Sequence, residues 1–157
     1  MKFVQGDITE APEVIIIHGC NMQGKMNSGV AKALRKKYPS IYLDYIECMN
    51  SEGIFGLGDH VTTLTKSKII GNLLTQDRYG YDGAEYASLD AIESALKSFI
   101  IDFEDFFGSH IPAIATPKIG CGRGGLQWND VRGILEKIEK EYNVEFVVYD
   151  IPDEFTK

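Results

Sequence analysis

The sequence lacks any long hydrophobic run: nothing in it approaches the roughly 18 to 20 consecutive apolar residues that a membrane-spanning helix needs. Met1, Lys2 and Phe3 open a strand-like segment instead of a signal peptide, so a cytoplasmic protein with no membrane partner is expected. Cysteine is scarce. Cys20, Cys48 and Cys121 are odd in number and far apart, with no CxxC pair, which argues against a disulfide framework and a zinc site and for a reducing compartment. Positive charge is in deficit as well: 16 Lys and Arg against 23 Asp and Glu give a net charge of −7. That balance excludes a general nucleic-acid surface, which would cluster basic side chains on phosphates, so any phosphate capture must be local. The remaining composition, 44% hydrophobic and 25% charged over 157 residues, is that of one ordinary globular core. A single domain over residues 1–157, acting as a monomer, is expected.

Strand-like and helix-like segments alternate along the chain. Val14 to Gly19 is a short, β-branched apolar run without alternation, the pattern of a strand buried on both faces. Ser28 to Tyr38 reads as a helix closed by Pro39, with Lys32, Arg35, Lys36 and Lys37 toward the end where the helix dipole favours cations. Ser40 to Met49 reads as a second helix, followed by the glycine-rich turn Gly53 to Gly58. His60 to Leu64 and Lys68 to Leu74 then read as strands joined by Thr65 to Ser67. Leu89, Ile92, Leu96, Phe99, Ile100 and Phe103 recur at helical spacing, predicting a long amphipathic helix that stops before Gly108. Ala113 to Thr116 is a buried strand, Pro117 to Gln127 a loop, and Asn129 the expected N-cap of a last helix. Glu145 to Tyr149 closes as a strand. Such alternation implies an α/β sheet covered on both faces, with ligands beyond the strand ends where the strand order reverses.

Two loops share a physical design. The first, Asn21 to Lys32, contains Gly24 and Gly29 and leads from a buried strand into a helix, so backbone N–H groups and a helix N-terminus near Ser28 can meet an anion. The second holds four glycines in six residues, Gly120, Gly122, Gly124 and Gly125, which can form an anion-binding nest. Two such loops suit a diphosphate. Neither has the GxxxxGK[ST] pattern of a nucleotide triphosphatase, and the first lacks the GxGxxG of a dinucleotide fold.

Four segments taken in order carry a resemblance: Gly6–Asp7–Ile8–Thr9, then Ile17–His18–Gly19–Cys20–Asn21, then Gly29–Val30–Ala31, and last Pro117–Lys118–Ile119–Gly120–Cys121–Gly122. Together they resemble macro domains and span nearly the whole chain. The resemblance implies a three-layer α/β/α sandwich with a central mixed sheet, and ADP-ribose or ADP-ribose-1″-phosphate as the partner, with no metal or cofactor. Carried over by position, Asp7 would bind the adenine amino group, flanked by Gly6 and Ile8; the alternative for Asp7 is a turn or cap aspartate. Asn21 would contact the distal ribose, the alternative being a turn-forming asparagine. Ser28, Gly29, Val30 and Ala31 would hold the diphosphate from one side, and Ile119, Gly120, Cys121, Gly122, Arg123, Gly124, Gly125 and Leu126 from the other. Tyr149 or Asp150 would border the adenine, and Gln76, Arg78, Tyr79 and Tyr81 the distal ribose.

Within that family, Ile17 to Gly24 with Tyr38–Pro39 is most similar to the small ADP-ribose-1″-phosphate phosphatases. Their catalytic histidine would match His18, acting as general base or acid because imidazole titrates near neutrality. The alternative is a strand-end histidine satisfied by hydrogen bonds. A related branch that removes ADP-ribose from acidic side chains uses a lysine and an aspartate that this sequence replaces with Gln76 and Gly124. Cys121 reads as a small loop-filling residue and not as a nucleophile. A phosphatase is therefore expected, with a non-catalytic ADP-ribose reader and an ADP-ribosyl or O-acetyl-ADP-ribose hydrolase as alternatives.

Overall fold

The structure, a computed structural model, describes residues 1–80, 82, 84–108 and 110–150. Its strands are β1 (Lys2–Gln5), β2 (Ile15–Asn21), β3 (His60–Leu64), β4 (Ile69–Gln76), β5 (Ile114–Thr116) and β6 (Phe146–Asp150). The helices are α1 (Gly29–Lys37), α2 (Ser40–Met49), α3 (Leu89–Phe107) and α4 (Trp128–Tyr142), with a 3-10 turn at Ile8–Glu10. The sheet runs β1-β6-β5-β2-β4-β3, with β3 antiparallel to β4 and every other pairing parallel.

The unbroken apolar run of β2 is explained by what lies on either side of it. Ile15 and Ile17 pack with Leu96, Phe99 and Ile100 of α3 and Leu135 of α4, whereas Ile16 and Cys20 pack with Leu34 of α1 and Ile41 and Tyr45 of α2. A strand between two helical layers has no solvent face on which polar residues would alternate. The mixed three-layer sandwich is thus formed around β2. Its apolar stripe places α3 as the sequence periodicity predicts, and Ser88 caps that helix by accepting from the Ala91 N–H at 3.2 Å.

One helix start differs from expectation. Gln127, without a side-chain capping bond, precedes α4, so Asn129 lies inside the first turn. The second glycine loop closes early, through a 2.9 Å bond from the Leu126 N–H to the Gly120 carbonyl, and helical bonding begins with the Asp130 N–H on the Gln127 carbonyl.

The sheet order positions the site. From β2 the chain passes through α1 and α2 toward β3 and β4; from β5 it passes through α4 toward β6 on the other side. Strand order therefore reverses between β2 and β5, and a crevice opens beyond their C-terminal ends. Both glycine loops begin there, the first after Asn21 and the second after Thr116.

Candidate functional site

The first loop is built around the Asn21 amide. Its Oδ1 accepts from the Gln23 N–H at 2.9 Å, the Lys25 N–H at 3.4 Å and the Tyr45 hydroxyl at 2.9 Å, while Nδ2 donates to the Lys25 carbonyl at 2.9 Å. Asn21 is 8% exposed, so it is both a buried turn former and the last residue of β2. Beyond it, Ser28 precedes α1 without a side-chain capping bond, and Gly29 has φ +59°. Among the described residues the N–H groups of Gly29, Val30 and Ala31 have no hydrogen-bond acceptor. Unpaired first-turn amides at the positive end of a helix dipole form an anion site.

The second loop is held by its own backbone. Besides the Gly120–Leu126 bond, the Cys121 N–H donates to Lys118 at 3.1 Å and the Gly125 N–H to Gly122 at 3.3 Å. Gly120 and Gly125 adopt φ +76° and +79°. The Gly122 and Gly124 N–H groups have no acceptor among the described residues, which leaves donors on this side of the crevice too. Ile119 and Leu126 are buried in the core, so only their backbone can reach a ligand; Arg123 is exposed on the loop.

The segment after β4 ties the two loops together. The Met22 N–H donates to the Asp77 carbonyl at 3.2 Å, and the Tyr79 N–H to Gln23 Oε1 at 2.9 Å. At the other end, the Tyr86 and Ala87 N–H groups donate to the Gly124 carbonyl at 2.8 and 3.0 Å. Tyr79 is exposed, and Gln76, the last residue of β4, donates from Nε2 to the Arg78 carbonyl at 2.9 Å. Tyr81 lies outside the described residues. Position 124 admits no aspartate: a Cβ there would meet the Gly120 carbonyl oxygen at 2.5 Å.

His18 lies within the sheet. It is 1% exposed, on the β2 face that carries Ile16 and Cys20, and its Nε2 lies 2.6 Å from Asn72 Oδ1 on the neighbouring strand. Asn72 in turn donates to the Val61 carbonyl and to Thr63 Oγ1. Burial lowers the His18 pKa to about 4 against the opposing pull of the Asn72 bond, so the ring is neutral at neutral pH. A desolvated ring with its Nε2 already bonded within the sheet does not favour the proton-transferring role expected of His18. Cys121, half-buried and donating weakly to the Ile119 carbonyl, has its thiol pushed up to about 11 by burial, despite the lowering effect of Lys118. A raised thiol pKa disfavours the thiolate form.

The residues expected at the adenine lie around the β1 and β6 ends. Asp7 is exposed, and its Oδ1 accepts from the Thr9 N–H at 2.9 Å and the Thr9 hydroxyl at 2.8 Å, capping the 3-10 turn; Oδ2 has no partner among the described residues. Gly6 continues the β1–β6 ladder by donating to Asp150 at 3.0 Å, and Ile8 is buried. Tyr149 is 8% exposed and its hydroxyl donates to the Glu13 carboxylate; burial first, then that bond, push its phenol up to about 12. An open hollow of about 560 Å³ touches Gly6, Asp7 and Tyr149 but none of the glycine-loop residues. Among the described residues no group of three His, Cys, Asp or Glu is placed to hold a metal, and no helix is long and apolar enough to cross a membrane.

Sequence reading did not single out Tyr45, Tyr42 or Gln23, whose polar atoms shape the first loop. Tyr42 and Tyr45 are three residues apart, which puts both on one face of α2. That spacing was the available signal, but nothing in it says that the face meets a loop.

A family model described as the macro domain matches residues 17–135, and the chain belongs to that family. It is 26% identical over 155 residues to a DNA ADP-ribosyl glycohydrolase of Thermus aquaticus, covering 96% of this chain but 41% of that protein, less than half its length. It is 31% identical over 159 residues to an uncharacterized 17.5 kDa protein of Enterobacteria phage T4, covering 96% of each. An ADP-ribose 1″-phosphate phosphatase of Candida albicans is 26% identical over 160 residues, covering 96% of this chain and 99% of that one. Among solved structures, the macrodomain of Mycobacterium tuberculosis DarG superposes with a TM-score of 0.79 at 24% identity, over 94% of this chain and 95% of that one. That likeness concerns the fold.

Proposed function

We propose that the chain binds ADP-ribose across the two glycine loops and hydrolyses a bond at its distal ribose, with ADP-ribose-1″-phosphate as the first substrate. The observation that carries the binding half is the pair of unpaired N–H sets, Gly29 to Ala31 and Gly122 with Gly124, at the ends of neighbouring strands. A diphosphate between them receives donors from both sides without a basic side chain, in keeping with an acidic protein. The free Oδ2 of Asp7 is available to accept from the adenine amino group, and the second Asn21 Nδ2–H to face the distal ribose. Phosphatase activity is supported by the name of the Candida relative, which this chain matches end to end. With His18 enclosed, rate enhancement must come from orientation of the ester and from N–H groups that stabilise developing charge.

The enclosure of His18 favours a second reading, binding of ADP-ribose without turnover. ADP-ribosyl hydrolysis has the support of the Thermus relative's name, but Gln76 and the side-chain-free position 124 stand against the lysine and aspartate chemistry expected for it. One experiment separates these: calorimetry with ADP-ribose, followed by product analysis on ADP-ribose-1″-phosphate and on ADP-ribosylated DNA and protein. Binding with phosphate release is the expected result. Binding without any product establishes the reader, and no binding removes the reading altogether.

A further inference from the structure

We propose that Tyr45 of α2 is a positioning residue for ligand recognition, and that its hydroxyl orients the Asn21 amide and sets the turn of the first loop from behind. The inference rests on the reading of Asn21 as the distal-ribose contact. Tyr45 is fully buried, yet its hydroxyl meets three loop atoms. It shares its proton between the Asn21 carbonyl at 2.7 Å and Asn21 Oδ1 at 2.9 Å, and it accepts from the Gly24 N–H at 2.9 Å. Tyr42, one turn earlier on the same helix, donates to the Gly24 carbonyl at 3.1 Å. Two tyrosines therefore grip one glycine from both its N–H and its C=O.

Gly24 needs that grip. It stands at φ +75°, and a Cβ on it would come within 3.0 Å of Ile46 Cδ1, so the turn is pressed against α2. The consequence for Asn21 is orientation. Three donors, from Gln23, Lys25 and Tyr45, converge on Oδ1, which sets the amide's orientation, and Nδ2 places one N–H on the Lys25 carbonyl and keeps the other for a ligand. Removing the Tyr45 hydroxyl leaves the buried Gly24 N–H without an acceptor, and the turn that presents Asn21 relaxes.

The test compares ADP-ribose with ADP, which has the adenine and diphosphate but no distal ribose. Tyr45→Phe keeps the buried ring and removes only the hydroxyl. Calorimetry should show about a tenfold loss of ADP-ribose affinity, the scale of one lost hydrogen bond. ADP affinity should change by no more than about twofold. Ile41→Val, which trims a buried side chain of the same helix, should leave both affinities unchanged, as a mere packing role for α2 requires of Tyr45→Phe as well. Equal losses for the two ligands, or none for either, overturn the proposal while the binding reading stands. Wild-type protein that does not bind ADP-ribose removes that reading and this one together. If Tyr45→Phe fails to fold, Tyr42→Phe is the substitute, with the same selectivity for ADP-ribose expected at a smaller ratio.

Discussion

The two glycine loops flank one crevice but are held in different ways. The first is held from behind by side chains: Asn21 within it, and Tyr42 and Tyr45 reaching from the inner face of α2. The second takes its shape largely from backbone bonds and from glycines that allow close contact with residues 84–87, beside a weak bond from the Cys121 thiol to the Ile119 carbonyl. A loop held by side chains tolerates changes of backbone residue better than changes of its braces. A loop held by backbone alone depends on each glycine at which a Cβ has no room.

The largest effect is expected at Gly125. Its φ of +79° is unfavourable to any side chain, and a Cβ would meet the Ala84 carbonyl oxygen at 2.4 Å. Gly125→Ala should destabilise the protein by on the order of 2 to 4 kcal/mol and weaken ADP-ribose by about 100-fold, read by denaturant unfolding and calorimetry. An alanine variant with near wild-type stability and affinity would falsify the claim that this loop depends on the glycine geometry at position 125.

Next comes acid sensitivity beneath the first loop. Because burial holds His18 at about 4 in the fold against 6.5 when exposed, the unfolded chain takes up a proton that the native protein refuses between those values. The His18 contribution is therefore complete above pH 6.5, lost as the pH falls from 6.5 to 4, and constant below. The loss should total roughly 3 kcal/mol, and His18→Gln should flatten that part of the stability profile. The same variant sharpens the functional assignment: as a sheet residue, His18 should be replaceable without abolishing turnover on ADP-ribose-1″-phosphate in whatever fraction remains folded. A folded His18→Gln protein that binds ADP-ribose but has lost its turnover would restore the catalytic role.

Asn21→Ala should cost about 1 to 3 kcal/mol, since the Gln23 N–H, the Lys25 carbonyl and the buried Tyr45 hydroxyl lose the side chain they bond, and should weaken ADP-ribose at least about tenfold. Tighter binding, or stability unchanged in a thermal melt, would show that the amide is not the brace of this loop.

How far the sequence revealed this follows from the physics of each feature. The sheet and helices were legible because burial on two faces removes alternation from β2, and because α3 shows its apolar stripe in its spacing. The loops were legible because a cluster of glycines has few uses. For His18 the residue type suits proton transfer, and only the register opposite Asn72, 54 positions away, shows that its ring is enclosed in the sheet. Tyr45 was silent for the related reason that its partners lie 21 and 24 residues away across a helix packing that periodicity does not specify. The start of α4 moved because the Gly120–Leu126 bond, a tertiary constraint, outcompeted Asn129 as a cap.

The smallest expected effect on the fold is at Gly122, and it discriminates most sharply between a loop that merely turns and one that holds a ligand. A Cβ at this position meets nothing within 4 Å, and the residue is not among those with positive φ. Gly122→Ala should therefore change stability by less than about 0.5 kcal/mol. Its N–H has no acceptor among the described residues and lies where the diphosphate is proposed to come against the backbone, so an added methyl group intrudes on the ligand alone. Affinity for ADP-ribose should fall roughly tenfold with the melting curve unmoved, and ADP should lose as much, since the two share the diphosphate. If ADP-ribose binds the alanine variant as tightly as wild type, the diphosphate does not touch the second loop, and only the first loop's amides at Gly29 to Ala31 remain to hold it.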